Sequence, residues 1–449
     1  MNTRIFYSIA LIAILFIFSY FNLKIISYAS SLLFILFLFN FYKISKELFF
    51  ISLVFIIGWV WNLISLLYIE NGSYITEQNT FGYFTNSSTR FSLYCSLFIF
   101  SGILAWKLNP LRKTSDSLST VTKTHKFENL SINFSFFILF ILFLIGLIYG
   151  FPILSGISRF EYWKPIDHLQ KFVFLSPIAC FFIGYCYGLS NSKKIIILLL
   201  FHILFLFLFS DKFTGPYLIF IYFFTGYSLS LLSKNNTKNI KIINWKLIIF
   251  VIPSISIVLI STVAYGYLIL HGLDPNFLID QILSRAFSLQ GHVWYGIDLL
   301  TFNNNFHPDP SLFLRENNEP TDPAGLPYLM YQISNPGFVT AMREAGIRFT
   351  NGYPAILLSS FGFHLGLFFQ FIVGFCFYIF SLYFLRKLFK QQFFMSFLCL
   401  IFFNNIISNS LIMGEIYYIY KPLSLALILF FLLDIFLIKI NKKIKTKYA

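Results

Sequence analysis

About twelve apolar runs, most long enough to cross a bilayer, divide this chain, and they decide what it can become. A helical span needs about 20 predominantly apolar residues. The runs lie near 5–21, 25–42, 48–68, 91–106, 134–151, 172–189, 195–210, 216–232, 247–270, 355–384, 393–413 and 422–440. With 57% hydrophobic residues, 11% charged residues and a mean hydropathy of +0.75, a water-soluble globule could not hide this much apolar surface. The expected fold class is therefore all-α: a polytopic integral membrane protein with about twelve transmembrane helices. Ile5 to Phe21 could serve as a signal peptide. It has no convincing small-x-small cleavage pattern and is followed at once by another apolar run, so an uncleaved first span is expected. The 62 Phe fill lipid-facing positions rather than marking a cofactor site, and the five Cys all fall in apolar runs with no CxxC pair.

Basic residues orient the spans. Of the 33 Lys and Arg, 22 fall in one alternate set of loops and at both termini, from Arg4 through Lys107–Lys126 and Lys234–Lys246 to the Lys439–Lys447 tail. That side is assigned to the cytoplasm. Of the 18 acids, 14 lie on the other side. The net charge of +15 is thus mainly a topology signal with some attraction to anionic lipid, and nucleic acid is not expected as a partner. Three regions follow: spans one to nine in 1–270, a large periplasmic loop in 271–354, and spans ten to twelve with a basic tail in 355–449.

The large loop carries the chemistry. It holds Arg285, His292, Arg315, Arg343, Glu344 and Arg348 on the side away from ATP and nucleotide sugars. Asp274-Pro275 reads as a helix start, and a helix over Phe277–Leu300 would put Arg285, Ser288 and His292 on one face, with Gln290 and Trp294 nearby. Prolines 308, 310, 320, 323 and 327 argue against regular structure there and suggest a flap. Asn335-Pro336 reads as the start of a second short helix bearing Arg343, Glu344 and Arg348. Arginine forks match phosphate oxygens. The alternative is an ordinary Glu344–Arg348 i,i+4 pair. His292 and Glu344 are the candidate proton acceptors, although His292 could equally do no more than hydrogen-bond a neighbour. Arg159 and Glu161, in Ser158–Lys164, are either substrate contacts or part of an interfacial aromatic belt. Asp211, in the tight Asp211–Gly215 turn, is either part of a self-neutralising turn or a substrate contact at the mouth of the bundle. Asn404, Asn405, Ser408 and Asn409 make the eleventh run unusually polar. No metal-ligand spacing appears on the outer loops, so neither a metal nor another cofactor is expected.

Arg285-Ala-Phe-Ser-Leu-Gln-Gly-His-Val-Trp resembles an Arg…Leu-Gln-Gly-x-x-Trp stretch of the bacterial O-antigen polymerases (the Wzy type). Asp211-Lys-Phe-Thr-Gly and the glycine-punctuated run Gly346…Gly352-Tyr-Pro-Ala…Gly362 look similar as well. The family's length and hydropathy match over the whole chain. The resemblance implies a GT-C-like, metal-independent glycosyltransferase of lipopolysaccharide biosynthesis. Its donor would be a growing glycan on undecaprenyl diphosphate, its acceptor one repeat unit on the same lipid, and a polysaccharide chain-length regulator a further partner. On that reading Arg285 and Arg343, with Arg348 and Arg159, hold the diphosphate, and Asp211, Glu161, Gln290 and Trp294 touch substrate. An O-antigen ligase has similar hydropathy and is the nearest rival. A repeat-unit flippase belongs to a different class and would carry its arginines within the bundle.

Overall fold

In hydrocarbon every backbone amide needs a partner within its own segment, and helices meet that demand. The computed structural model describes residues 2–108, 125–157, 159–210, 214–234, 287–302, 306–316, 323–344 and 351–447. The expected ninth span (247–270), the Asp274-Pro275 helix start, and Asp211, Arg285 and Arg348 lie outside the described residues.

Among the described residues, 8 helices are long and apolar enough to cross a membrane. The protein is a multi-pass, almost entirely helical membrane protein. Two shorter apolar helices, Thr3–Phe18 and Pro422–Leu437, occupy the first and last runs, and the run at 195–210 forms helix Lys193–Leu208. Ser52 splits the third run into Lys46–Ile51 and Leu53–Glu70. Its hydroxyl bonds Leu48 O at 2.7 Å and Tyr378 Oη at 3.0 Å, a side-chain alternative to the helical ladder at the break.

Small residues let the helices close up, as association within lipid requires. Asp167–Ser190 crosses Thr214–Lys234 so tightly that a Cβ on Gly184 would lie 2.2 Å from Phe223 O, and one on Gly226 would lie 2.1 Å from Phe181 O. Ser87–Leu108 packs along Ala355–Phe389 in the same way, with Gly102 against the Tyr378 ring and Gly374 against Phe98 and Ser101. Ala355–Phe389 is two helices in succession, because Gly362 takes φ 69° and ψ −174°. The carbonyls freed at this break need a donor. Tyr94 Oη supplies it, 2.9 Å from Phe363 O and 3.4 Å from Gly362 O.

The eleventh run begins as helix Phe393–Phe402 and widens into π-helix over Phe403–Ile407 and Asn409–Met413, ending at the left-handed Gly414. Its asparagines work as interhelical bonds: Asn404 accepts from Tyr222 Oη at 3.0 Å and donates to Phe174 O at 3.0 Å. At the opposite end of the bundle, Lys387 Nζ lies 2.6 Å from Asp434 Oδ2, which also accepts from Tyr383 Oη at 2.8 Å, fastening the last helix.

The helical expectation holds, and the strands among the described residues form one short hairpin: Tyr74–Ile75 pairs antiparallel with Thr80–Phe81, and Asn79 turns it at φ 54°, a conformation asparagine tolerates. One expectation changes, because the prolines do not abolish helix. Pro310–Phe313 is a 3-10 turn whose Asp309 Oδ1 accepts from Ser311 N at 3.0 Å, and Pro327 sits in the first turn of Gly325–Ile333, where its missing N–H has no partner to lose.

Candidate functional site

Within the expected helix Phe277–Leu300, Phe287 and Ser288 are helical, and a separate helix starts at His292 and runs to Thr301. Ser288 and His292 therefore do not share an uninterrupted helical face. The chain first passes through a turn at Leu289–Gly291, and that turn is the hub of the site. Gly291 allows it to press onto Leu53–Glu70, where a Cβ would lie 3.0 Å from both Asn62 O and Ser65 Oγ. Ser65 Oγ accepts from Gly291 N at 2.8 Å and donates to Ser288 O at 3.1 Å, fixing the turn to the helix below. Asn351 Nδ2 donates to both Gln290 O (3.1 Å) and Gln290 Oε1 (2.7 Å), which ties the turn to the segment entering the kinked helix.

The hairpin closes over this turn. Gln78 Nε2 donates to His292 O at 2.9 Å, and Ser288 Oγ donates to Tyr74 O at 3.3 Å. Tyr83 N donates to Tyr295 Oη at 2.8 Å, and that hydroxyl donates back to Tyr83 O at 3.0 Å. Burial first, and then neighbouring acids, push the Tyr295 phenol up to about 12, so it keeps its proton at any physiological pH.

His292 lies beneath the hairpin with 2% of its side chain exposed. Its Nδ1 is 2.8 Å from Leu289 O, and a carbonyl only accepts, so Nδ1 carries hydrogen. Nε2 lies 2.7 Å from Glu77 Oε2, which makes an ion pair without a well-directed hydrogen bond. With Nδ1–H committed, Nε2 bears hydrogen only as imidazolium, so the contact is attractive only when one further proton resides on the pair. His292 Nδ1 is thus committed within the protein, while Nε2 faces Glu77.

A second ionic layer lies beside it. Arg90 and Asp298 are 8% and 0% exposed, and Arg90 Nε donates to Asp298 Oδ1 at 2.7 Å while Nη2 donates to Oδ2. Nη2 also reaches Thr85 O at 2.7 Å, and the guanidinium lies 4.1 Å over the Phe302 ring. Glu70 closes the start of Ser87–Leu108, accepting from Ser87 N at 2.5 Å, Ser88 Oγ at 2.7 Å and Ser27 Oγ at 2.9 Å. Trp294 Nε1 donates to Ser87 O at 3.1 Å, and its ring packs edge-on to Tyr94 at 5.0 Å. Trp294 is therefore a buried strut.

Gln290, His292 and Trp294 come together at this hub. The other expected residues stand elsewhere. Asn335 Oδ1 accepts from Gly337 N at 2.9 Å and starts helix Pro336–Glu344, as its Asn-Pro step suggests. On that helix Arg343 Nη1 donates to Tyr331 Oη at 3.2 Å with its guanidinium 5.5 Å over the ring, and Glu344 is exposed at the end. Arg159 and Glu161 begin the short helix Arg159–Trp163; Glu161 is exposed, and Tyr162 and Trp163 turn inward onto Phe209. Sequence reasoning passed over Glu77, Arg90 and Asp298. The signal was present in Arg90 and Asp298, two charges at the edges of apolar stretches that call for partners.

A family of unknown function (DUF6418) matches residues 319–428, the stretch from the proline-rich segment through the kinked helix to the start of the last helix. No curated protein matches the chain. No solved structure matches it either.

Proposed function

We propose that the protein is an O-antigen polymerase, which joins oligosaccharide repeat units carried on undecaprenyl diphosphate at the periplasmic face of the inner membrane. The observation carrying this reading is the hub at Ser288–Trp294. The stretch that resembles the polymerases is the one on which a hairpin, two helix ends and the entry to the kinked helix converge. A stretch spent on lipid-facing packing would make no such polar connections.

In this reading both termini are cytoplasmic, and two lipid carriers enter sideways from the bilayer. An acceptor hydroxyl oxygen attacks the anomeric carbon of the donor chain as the C–O bond to the diphosphate breaks. The bonding pair leaves on a phosphate oxygen, and the hydroxyl proton passes to a base. Arginine side chains suit the departing diphosphate because fixed cations stabilise charge where it develops. Arg343 and Arg159 are the described candidates, with Arg285 and Arg348 as the others the sequence offers. The reaction needs no cofactor chemistry in this scheme.

The test is the lipopolysaccharide profile of a deletion strain. Loss of the ladder, leaving core with one repeat, supports the reading. Carrier-linked polymer accumulating instead identifies a ligase, and an unchanged ladder overturns both.

A further inference from the structure

Among the described acids of the hub, Glu77 combines a fixed position with a partly open surface. Its Oε2 is buried against His292 Nε2 at 2.7 Å, yet the side chain keeps 19% of its surface exposed. What it shows to the outside therefore lies away from Oε2. Asp298, by contrast, is fully buried on Arg90, and Glu70 is consumed by hydroxyls and amides. The hairpin that carries Glu77 is held by Gln78, Tyr83 and Tyr74 independently of the carboxylate.

We propose that Glu77 is the general base of the site and that His292 is its positioning residue. This rests on the polymerase reading above. Oε1, the carboxylate oxygen not turned to His292, takes the proton of the acceptor hydroxyl as the new glycosidic C–O bond forms, while the C–O bond to the diphosphate breaks and its electron pair leaves on phosphate. The proton on Glu77 then passes to water, and the carboxylate is restored. His292, with Nδ1 anchored on Leu289 O, keeps the carboxylate in one orientation. A diphosphate is a good leaving group, so a carboxylate suffices as the base.

The experiment uses full-length protein in liposomes with undecaprenyl-diphosphate-linked repeat units and follows elongation. Hydrogen exchange of residues 74–83 is measured on the same preparations. Glu77→Gln is expected to elongate about a hundred-fold more slowly, with hairpin protection unchanged. Glu77→Asp is expected to recover most of the loss. If Glu77→Gln elongates as wild type does, or if its loss comes with a deprotected hairpin, or if Asp gives no recovery, the assignment of Glu77 is overturned while the polymerase reading stands. If the wild type itself does not elongate, the polymerase reading fails and the assignment falls with it.

Discussion

Arg90 and Asp298 join the start of one membrane helix to the short helix of the hub, 208 positions along the chain. Removing one partner of a buried pair strands the other charge. The cost is about 3–5 kcal/mol, whereas replacing both with apolar residues is often neutral. The two halves of this pair are not equivalent. Asp298 is 0% exposed, and its cation is Arg90, so Arg90→Met leaves a buried carboxylate and should fall at the upper end of that range. Asp298→Leu leaves a guanidinium that still holds Thr85 O and the Phe302 ring, and should fall at the lower end. The double variant should return to within about 1.5 kcal/mol of wild type, giving strong non-additivity in the cycle. Heating detergent-solubilised protein and following the monodisperse fraction reads this out. Each single substitution should lower the midpoint by on the order of 5–10 °C, and the double variant should recover most of it. Single variants that melt with wild type, or a double variant as poor as the two losses added, would refute the claim that this pair holds the hub to the bundle.

Three further outcomes are expected. Gly184→Ala and Gly226→Ala each push a methyl into a carbonyl of the facing helix, at 2.2 and 2.1 Å, and should cost about 1–3 kcal/mol in the same heating assay. Tyr94→Phe keeps the aromatic packing on Trp294 but strips the donor from the helix break at Gly362, leaving buried carbonyls unpaired at a cost of about 1–3 kcal/mol. Tyr295 has its folded value raised to about 12, so the stability it lends is fully present below the unfolded value of about 10 and is lost as pH climbs through about 12. The midpoint difference between wild type and Tyr295→Phe should stay flat up to the lower value and shrink across that window; a difference that changes near neutrality contradicts the assignment.

The membrane plan was legible because hydrocarbon imposes length and apolarity on every span, and each apolar run within the described residues forms helix. Interruptions inside the runs were harder to see. Ser52 stands at the break in one run with its hydroxyl on Leu48 O, and the π-helix at Phe403–Met413 places Asn404 against Tyr222 of another helix. Neither leaves a mark in periodicity. Gly362 stood out as one of several punctuating glycines, but the donor that meets the carbonyls at its break, Tyr94, lies 268 positions earlier. At the site, His292 was visible as the one histidine beside a Leu-Gln-Gly turn. Its role was not, because Glu77 lies 215 positions earlier in an unremarkable loop. Pairings of that kind are written in tertiary packing. Asn335-Pro336 succeeded for the opposite reason: a cap is local chemistry, complete within three residues.

The central claim is that this membrane protein lengthens a lipid-linked glycan. The most direct measurement reconstitutes the purified full chain in liposomes, supplies undecaprenyl-diphosphate-linked repeat units as the sole sugar source, and sizes the lipid-linked product. A ladder of multiples, with one undecaprenyl diphosphate released for each linkage formed, is the expected result. Repeat units that stay single in active, correctly folded preparations, or that move to the other leaflet without elongation, would contradict the account.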